Sequence, residues 1–368
     1  MYKKHINSIH VEITDRCNAE CPACPRSFGG GLVKPYVKNQ ELSLEYFKLL
    51  GKDFCSQIHW WNFCGTKGDP SSAQDLFEVL EFILQCNPKT RIDIRTNGGA
   101  RNTKFWHKVG DLFNGTNGVV IWSIDGWEDT NHIYRKNVKW NKLYANLLAY
   151  ISTGARSIWE FNKFKHNLND LPIVESFCRK KNIQLLVREP YGFEDIDNLT
   201  ADTGFKKSIK TLPVYNKVDD NTAVLAYEIL PYNAEDYNLV SDHVPEVYAK
   251  DLTPRSFYNK DNWKNLRDKN IEISCEVTRD EDRQEIFLDS NGMIMPCCYI
   301  ASKYIMGDEQ LHEMFDPYKN DLIVNETNTI YDVLNHKMFQ TIMPDAMAGQ
   351  LEDDVSHCIT CVHHCKKR

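Results

Sequence analysis

The chain has 368 residues, enough for one large domain and a smaller one, and its 42% hydrophobic and 11% aromatic content supports a real core. A formal charge of −7 removes the electrostatic case for a nucleic-acid partner, and no apolar run approaches the roughly 20 residues of a membrane span. The N-terminal stretch Met1–Asn7 lacks the apolar segment of a signal peptide, so the thirteen cysteines point to metal or redox chemistry in the cytoplasm rather than to disulfides.

His10-Val11-Glu12-Ile13-Thr14 alternates apolar and polar side chains and reads as a first strand. Cys17, Cys21 and Cys24 follow in the loop that leaves it, with three and then two residues between them. Zinc asks for four ligands in a tetrahedron, so three thiolates without a nearby fourth suit an iron–sulfur cube with one iron left open. The stretch from Ser27 to Lys38 is glycine-rich and reads as a flexible connection. Leu44, Phe47, Leu50 and Phe54 recur at helical spacing after Ser43, a candidate N-cap. A second strand over Gln57–Phe63 runs into Cys64-Gly65-Thr66-Lys67-Gly68-Asp69. Glycines there allow a ligand to approach backbone closely, and an adjacent carboxylate accepts from an ammonium group.

A helix bearing Leu76, Phe77, Leu80 and Ile83 leads to a third strand, Arg91–Arg95, that ends in Thr96-Asn97-Gly98. After a helix over Thr103–Phe113, a fourth strand, Gly118–Gly126, puts Ser123 and Asp125 on one face. Ser157–Phe164 and Ile183–Arg188 read as strands five and six, with a helix between them that carries Pro172 in its first turn. Six alternations of strand and helix predict parallel strands with right-handed crossovers. The fold expected is α/β: a partial six-stranded TIM-like (β/α) barrel over residues 1–190. Every candidate ligand falls after the C-terminal end of a strand, where such barrels put their sites.

Residues 191–270 form an irregular bridge across the barrel mouth, and 271–368 a small cysteine-bearing domain. Gln284–Leu288 and Met293–Pro296 flank Asp289-Ser290-Asn291-Gly292, a hairpin signature. A helix is expected over Thr329–Ile342. Cys275, Cys297, Cys298, Cys358, Cys361 and Cys365 give this region six thiols, able to close round zinc or a cluster. The hairpin and tail offer little other core, so metal binding is expected to supply much of their folding energy. Cys55, Cys64, Cys86 and Cys178 read as buried small hydrophobes, and His363-His364 as a solvated tail.

The spacing of Cys17, Cys21 and Cys24 after the first strand resembles the signature of the radical S-adenosylmethionine (radical SAM) superfamily. One departure is Ala23, where relatives carry an aromatic residue before the third cysteine. The resemblance implies a [4Fe-4S] cluster whose open iron chelates SAM, giving a 5′-deoxyadenosyl radical that abstracts a substrate hydrogen. Gly65, Gly68 and Asp69 are similar to the superfamily's Gly-Gly-Glu motif, which receives SAM's ammonium group, with Asp69 in place of Glu. Thr96 and Asn97 match a segment that closes the third strand near SAM. Ser123 and Asp125 match residues on the ribose hydroxyls, and Arg135 an arginine on SAM's carboxylate.

The C-terminal order of Cys275, then Gly292 with four residues before Cys297, then Cys358-x-x-Cys361 is similar to SPASM and twitch extensions, which bind auxiliary [4Fe-4S] clusters. Two further clusters need about eight thiolates. Six are present, so one auxiliary cluster on Cys275, Cys297, Cys358 and Cys361 is expected, with Cys298 or Cys365 able to replace one of these. The resemblance also implies a small-molecule or peptide substrate, an electron donor such as flavodoxin or ferredoxin, and oxidation, epimerisation or bond formation as the reaction. The first strand lies close to Met1, so no leader-binding module is expected ahead of the barrel. The alternatives are a non-enzymatic iron–sulfur electron carrier and a zinc-stabilised binding protein. The general base and the oligomeric state are not legible.

Overall fold

The computed structural model describes residues 6–190, 211–232, 246–248, 273, 275, 284–351 and 357–365. Strands β1 (Ser8–Val11), β2 (Trp60–Phe63), β3 (Arg91–Thr96), β4 (Asn117–Ser123), β5 (Ser157–Asn162) and β6 (Gln184–Arg188) lie side by side in that order. Each neighbouring pair is parallel. Between them run α1 (Leu44–Leu49), α2 (Lys52–Gln57), α3 (Leu76–Cys86), α4 (Thr103–Phe113), α5 (Asn131–Tyr134), α6 (Trp140–Ile151) and α7 (Leu171–Lys181). The predicted α/β barrel-type alternation is therefore present, strand for strand.

Side-chain parity explains the layering. Trp61, Phe63, Ile92, Ile94, Trp122, Trp159 and Phe161 are fully buried, in one cluster with helix residues such as Leu80, Val109 and Leu147. Burying a side chain of phenylalanine size stabilises by roughly 1.5–3 kcal/mol, so this face dominates the energetics. The alternate positions, including His10, Asn62, Asp93, Arg95, Glu160 and Arg188, carry polar groups to the opposite, inner face.

Several elements differ from expectation. Strand β1 ends at Val11, because Leu42 N–H bonds to the Ile13 carbonyl (2.8 Å) and Thr14 bridges to Glu41. The helical run after Ser43 is two helices: Ser43 caps α1 through the Tyr46 N–H, and the chain turns at Gly51 (φ +87°) before α2. A positive φ of that size is readily available only to glycine. The segment 27–38 is packed rather than a free connection. Gly29 accepts from the Tyr215 N–H (2.8 Å), and Leu32 packs with Tyr215 and Ala223.

Those partners belong to β7 (Leu212–Lys217) and β8 (Thr222–Ile229), an antiparallel pair extended by β9 (Glu246–Tyr248). The rest of the 191–270 bridge lies outside the described residues, as do the side chains of His363 and His364.

The largest difference concerns the hairpin. Strands β10 (Glu285–Leu288) and β11 (Ile294–Met295) pair antiparallel as predicted, but β10 also pairs in parallel with β1, Ser8 opposite Glu285. The main sheet thus has eight strands in the order β11-β10-β1-β2-β3-β4-β5-β6. All four residues of β10 are buried, and Ile286, Phe287 and Leu288 belong to the main core. The hairpin does not depend on its cysteines for a core, contrary to expectation. The expected helix over Thr329–Ile342 is interrupted: Ile330–Asn335 is α-helical, started by a Thr329–Asp332 capping box, His336 is extended, and a π-helical stretch, Met338–Ile342, runs on into the α-helix Met343–Ala348.

Candidate active site at the strand ends

The loop after β2 is built on β1. Glu12, fully buried, accepts from the N–H groups of Thr66 (2.6 Å), Lys67 (3.1 Å) and Gly68 (2.8 Å). Backbone then lies on backbone: a Cβ on Gly65 would fall 1.8 Å from the Gly68 carbonyl oxygen, and one on Gly68 1.9 Å from that of Thr14. Only glycine fits either position. Burial raises the Glu12 carboxyl to about 7, against the pull of Lys67. Lys67, itself buried, ion-pairs with Asp289 in the β10–β11 turn (2.7 Å). The loop is therefore held from below by β1 and from the side by the C-terminal hairpin.

Each of the three loop thiols meets a group from a different strand-to-helix connection or the turn that follows it. Asn97 Nδ2 after β3 approaches Cys17 Sγ (3.6 Å), Arg135 Nη1 approaches Cys21 Sγ (3.8 Å), and Cys24 Sγ faces the Thr66 carbonyl (4.0 Å). Burial pushes Cys24 up to about 12 and Cys17 well above the usual thiol range, and the neighbouring thiols raise both further. Arg135 opposes the rise at Cys21. Three soft sulfurs, one buried and two half-buried, with one nearby cation suit a group that brings its own positive charge, as an iron–sulfur cluster does. Among the described residues, no three His, Cys, Asp or Glu side chains converge as they would on a single ion.

Asp69, expected on an ammonium group, has a carboxylate already supplied with donors. It accepts from Ser71 Oγ (2.6 Å), Thr96 Oγ1 (2.9 Å), Asn97 N–H (2.7 Å) and Asn97 Nδ2 (2.7 Å). In this arrangement Asp69 and Thr96 together orient Asn97 toward Cys17. Asp125 is likewise engaged: it accepts from Arg135 Nε (2.6 Å), Asn162 N–H (2.7 Å) and Asn162 Nδ2 (2.9 Å), with no exposed surface. This buried ion pair aims the guanidinium at Cys21. Ser123 lies half-buried at the end of β4, opposite Glu160 on β5. Cys17, Cys21, Asp69, Thr96, Asn97, Asp125 and Arg135 therefore meet round the cysteine loop through polar contacts, and Cys24 and Gly68 make theirs with the loop after β2 and with Glu12.

The inner face below was not singled out from sequence. Arg95 bonds Asn62 Oδ1 (3.0 Å) and faces Glu160 (3.8 Å), which also accepts from Arg188 Nε (2.6 Å). His10 Nε2 bonds the Cys64 carbonyl (2.7 Å). Strand parity was the available signal, because these residues alternate with the buried aromatics. Cys64 belongs to this polar face, beside Arg95 and Glu160, and is not a plain core residue; Cys55 and Cys178 are buried as expected.

The C-terminal thiols gather elsewhere. Cys275, Cys297, Cys361 and Cys365 line one pocket, and Cys358 stands against Cys361. The final helix, Ile359–Cys365, is docked through Cys358 N–H to the Ala346 carbonyl (2.7 Å). Burial and the thiols of Cys298 and Cys275 raise Cys297 well above its usual range.

No family model matches the chain, and no curated protein matches it. Solved structures do. Streptococcus suis SuiB bound to precursor peptide SuiA aligns over 92% of this chain and 66% of its own, at 10% identity and a TM-score of 0.49. The present chain thus spans just under two thirds of that relative. Native anSMEcpe with bound AdoMet and Kp18Cys peptide aligns over 92% of this chain and 83% of its own, at 11% identity and a TM-score of 0.48. BtrN in complex with AdoMet and 2-DOIA aligns over 96% and 98%, at 13% identity and a TM-score of 0.42. At these identities the likeness is one of fold alone. The sheet carries its cysteine loop after the C-terminal end of β1. No helix among the described residues is long and apolar enough to cross a membrane.

Proposed function

We propose that the chain is a radical SAM enzyme that removes a hydrogen from a small-molecule or peptide substrate. The observation that carries this reading is the meeting of three loop thiols with polar groups from three different connections between strands, Asn97, Arg135 and the Thr66 carbonyl. Cys17, Cys21 and Cys24 would hold the [4Fe-4S] cluster, and that cluster with SAM supplies a 5′-deoxyadenosyl radical when bound. Arg135, fixed by Asp125, is positioned to take the carboxylate of SAM. Asp69, through its hold on Asn97, shapes the ammonium end, and Ser123 lies where the ribose would pass. Gly65 and Gly68 keep the neighbouring backbone close enough to line the site.

The polar inner face, where Glu160 pairs with both Arg95 and Arg188, supports a substrate with hydrogen-bonding and charged groups. An auxiliary [4Fe-4S] cluster held by four of the C-terminal thiols would serve as an electron acceptor or substrate ligand. A flavodoxin or ferredoxin in the cytoplasm is the electron donor this chemistry requires, and thirteen free thiols suit that reducing compartment.

The test is anaerobic reconstitution followed by iron counting and reduction in the presence of SAM. The reading expects roughly eight irons per chain, four for each cube, and release of 5′-deoxyadenosine. Iron without 5′-deoxyadenosine would favour an electron carrier, and bound zinc a zinc-stabilised binding protein.

A further inference from the structure

The C-terminal pocket assigns its thiols differently from their spacing. Four cysteines line it, Cys275, Cys297, Cys361 and Cys365, together with Met343 and Met347. Cys361 and Cys365 lie four residues apart on the final helix, so both point from one face of it. Cys358 precedes that helix and has no exposed surface. Its thiol is hydrogen-bonded to that of Cys361, its N–H to the Ala346 carbonyl, and its carbonyl to the Val362 N–H (3.0 Å). It does not line the pocket. Cys298, the other spare thiol, does not line it either and lies near Glu285 and Cys64.

Resting on the auxiliary cluster of the proposed function, we infer that its four ligands are Cys275, Cys297, Cys361 and Cys365. Cys358 is then a positioning residue that holds Cys361 against the pocket. Soft thiolate donors in a dry setting are the chemistry an iron–sulfur cube takes. The Cys-x-x-Cys spacing, which would make Cys358 and Cys361 a ligand pair, is overridden by the way the helix is docked.

Full-length chains with Cys358, Cys361 or Cys365 changed singly to Ser, and in parallel to Ala, would be reconstituted anaerobically. Iron per chain and the electron paramagnetic resonance of the reduced protein are the readouts. Cys361→Ser and Cys365→Ser should each lose roughly half the iron and one set of signals, while Cys358→Ser keeps both. Release of 5′-deoxyadenosine from each variant reports that the barrel is folded, and the Ala series decides where a Ser variant packs badly. Full iron in Cys365→Ser overturns the assignment, as does half iron in Cys358→Ser. Full iron in all three, with wild-type signals, overturns the auxiliary cluster itself and this assignment with it.

Discussion

Round Cys17, Cys21 and Cys24 the neighbours are polar and charged, whereas round Cys297, Cys361 and Cys365 they are chiefly apolar. The first group faces Asn97, the Asp125–Arg135 pair and a peptide carbonyl. The second is walled by Met343, Met347 and Ile300. Three thiols among hydrogen-bonding groups would suit a cluster that also takes a polar ligand. A fuller set of thiols among thioethers and aliphatic side chains would suit a cluster closed off from water. The difference teaches that cysteine count and surroundings have to be read together, because the same residue type stands in a polar setting in one place and an apolar one in the other.

The severest way to break the contrast is to replace Cys17, Cys21 and Cys24 together by Ala. All 5′-deoxyadenosine formation should vanish with about half the iron, and residual reductive cleavage of SAM would mean the wrong thiols were chosen. Next in size is Arg135→Ala, which leaves Asp125 buried and unpaired. Removing one partner of a buried pair costs about 3–5 kcal/mol, to be read as a lower urea midpoint together with weaker SAM binding by calorimetry. An unchanged SAM affinity would relocate the carboxylate contact.

Glu12 sharpens the comparison through pH. Its carboxyl is raised from 4.5 to about 7, so the folded state holds the proton more firmly than the unfolded chain. Stability from this group is complete below pH 4.5 and is lost as pH rises to about 7. The loss is roughly 3 kcal/mol at 1.36 kcal/mol per pH unit. Glu12→Gln should flatten that slope in urea melts across the window, and parallel slopes in the two proteins would refute the assignment. The smallest effect belongs to Cys298→Ser. It does not line the pocket, so iron content should equal that of the wild type.

The strands were legible because aromatic and β-branched residues at alternate positions commit to a sheet, and the thiols because their spacing is local. What escaped the sequence was pairing between distant residues. Lys67 and Asp289 lie 222 residues apart, and neither carries a local sign of the other. Strand β10 read as half of a hairpin since its turn is nearby, while its second neighbour, β1, is far away in sequence. Glu12 looked like an ordinary strand position; its role as acceptor for three loop amides arises only when β1 and β2 align. Gly51 broke the helix after Ser43 although the apolar spacing carried on through it. The orientations of Cys298 and Cys365 depend on how a helix docks, which spacing does not encode.

The parallel pairing of β10 with β1 also sets an order of assembly. Ser8 and Glu285, hydrogen-bonded side chain to side chain (3.0 Å), are 277 residues apart. During synthesis β1 can find β2 early, yet its other edge has no partner until the hairpin emerges. An open strand edge invites pairing with another chain, and contacts this distant in sequence slow folding. A ribosome that stalls before Glu285 would therefore release a barrel that already holds its cysteine loop but presents β1 to its neighbours. The hairpin, once translated, covers the edge of β1 and so acts as a chaperone carried by the chain itself.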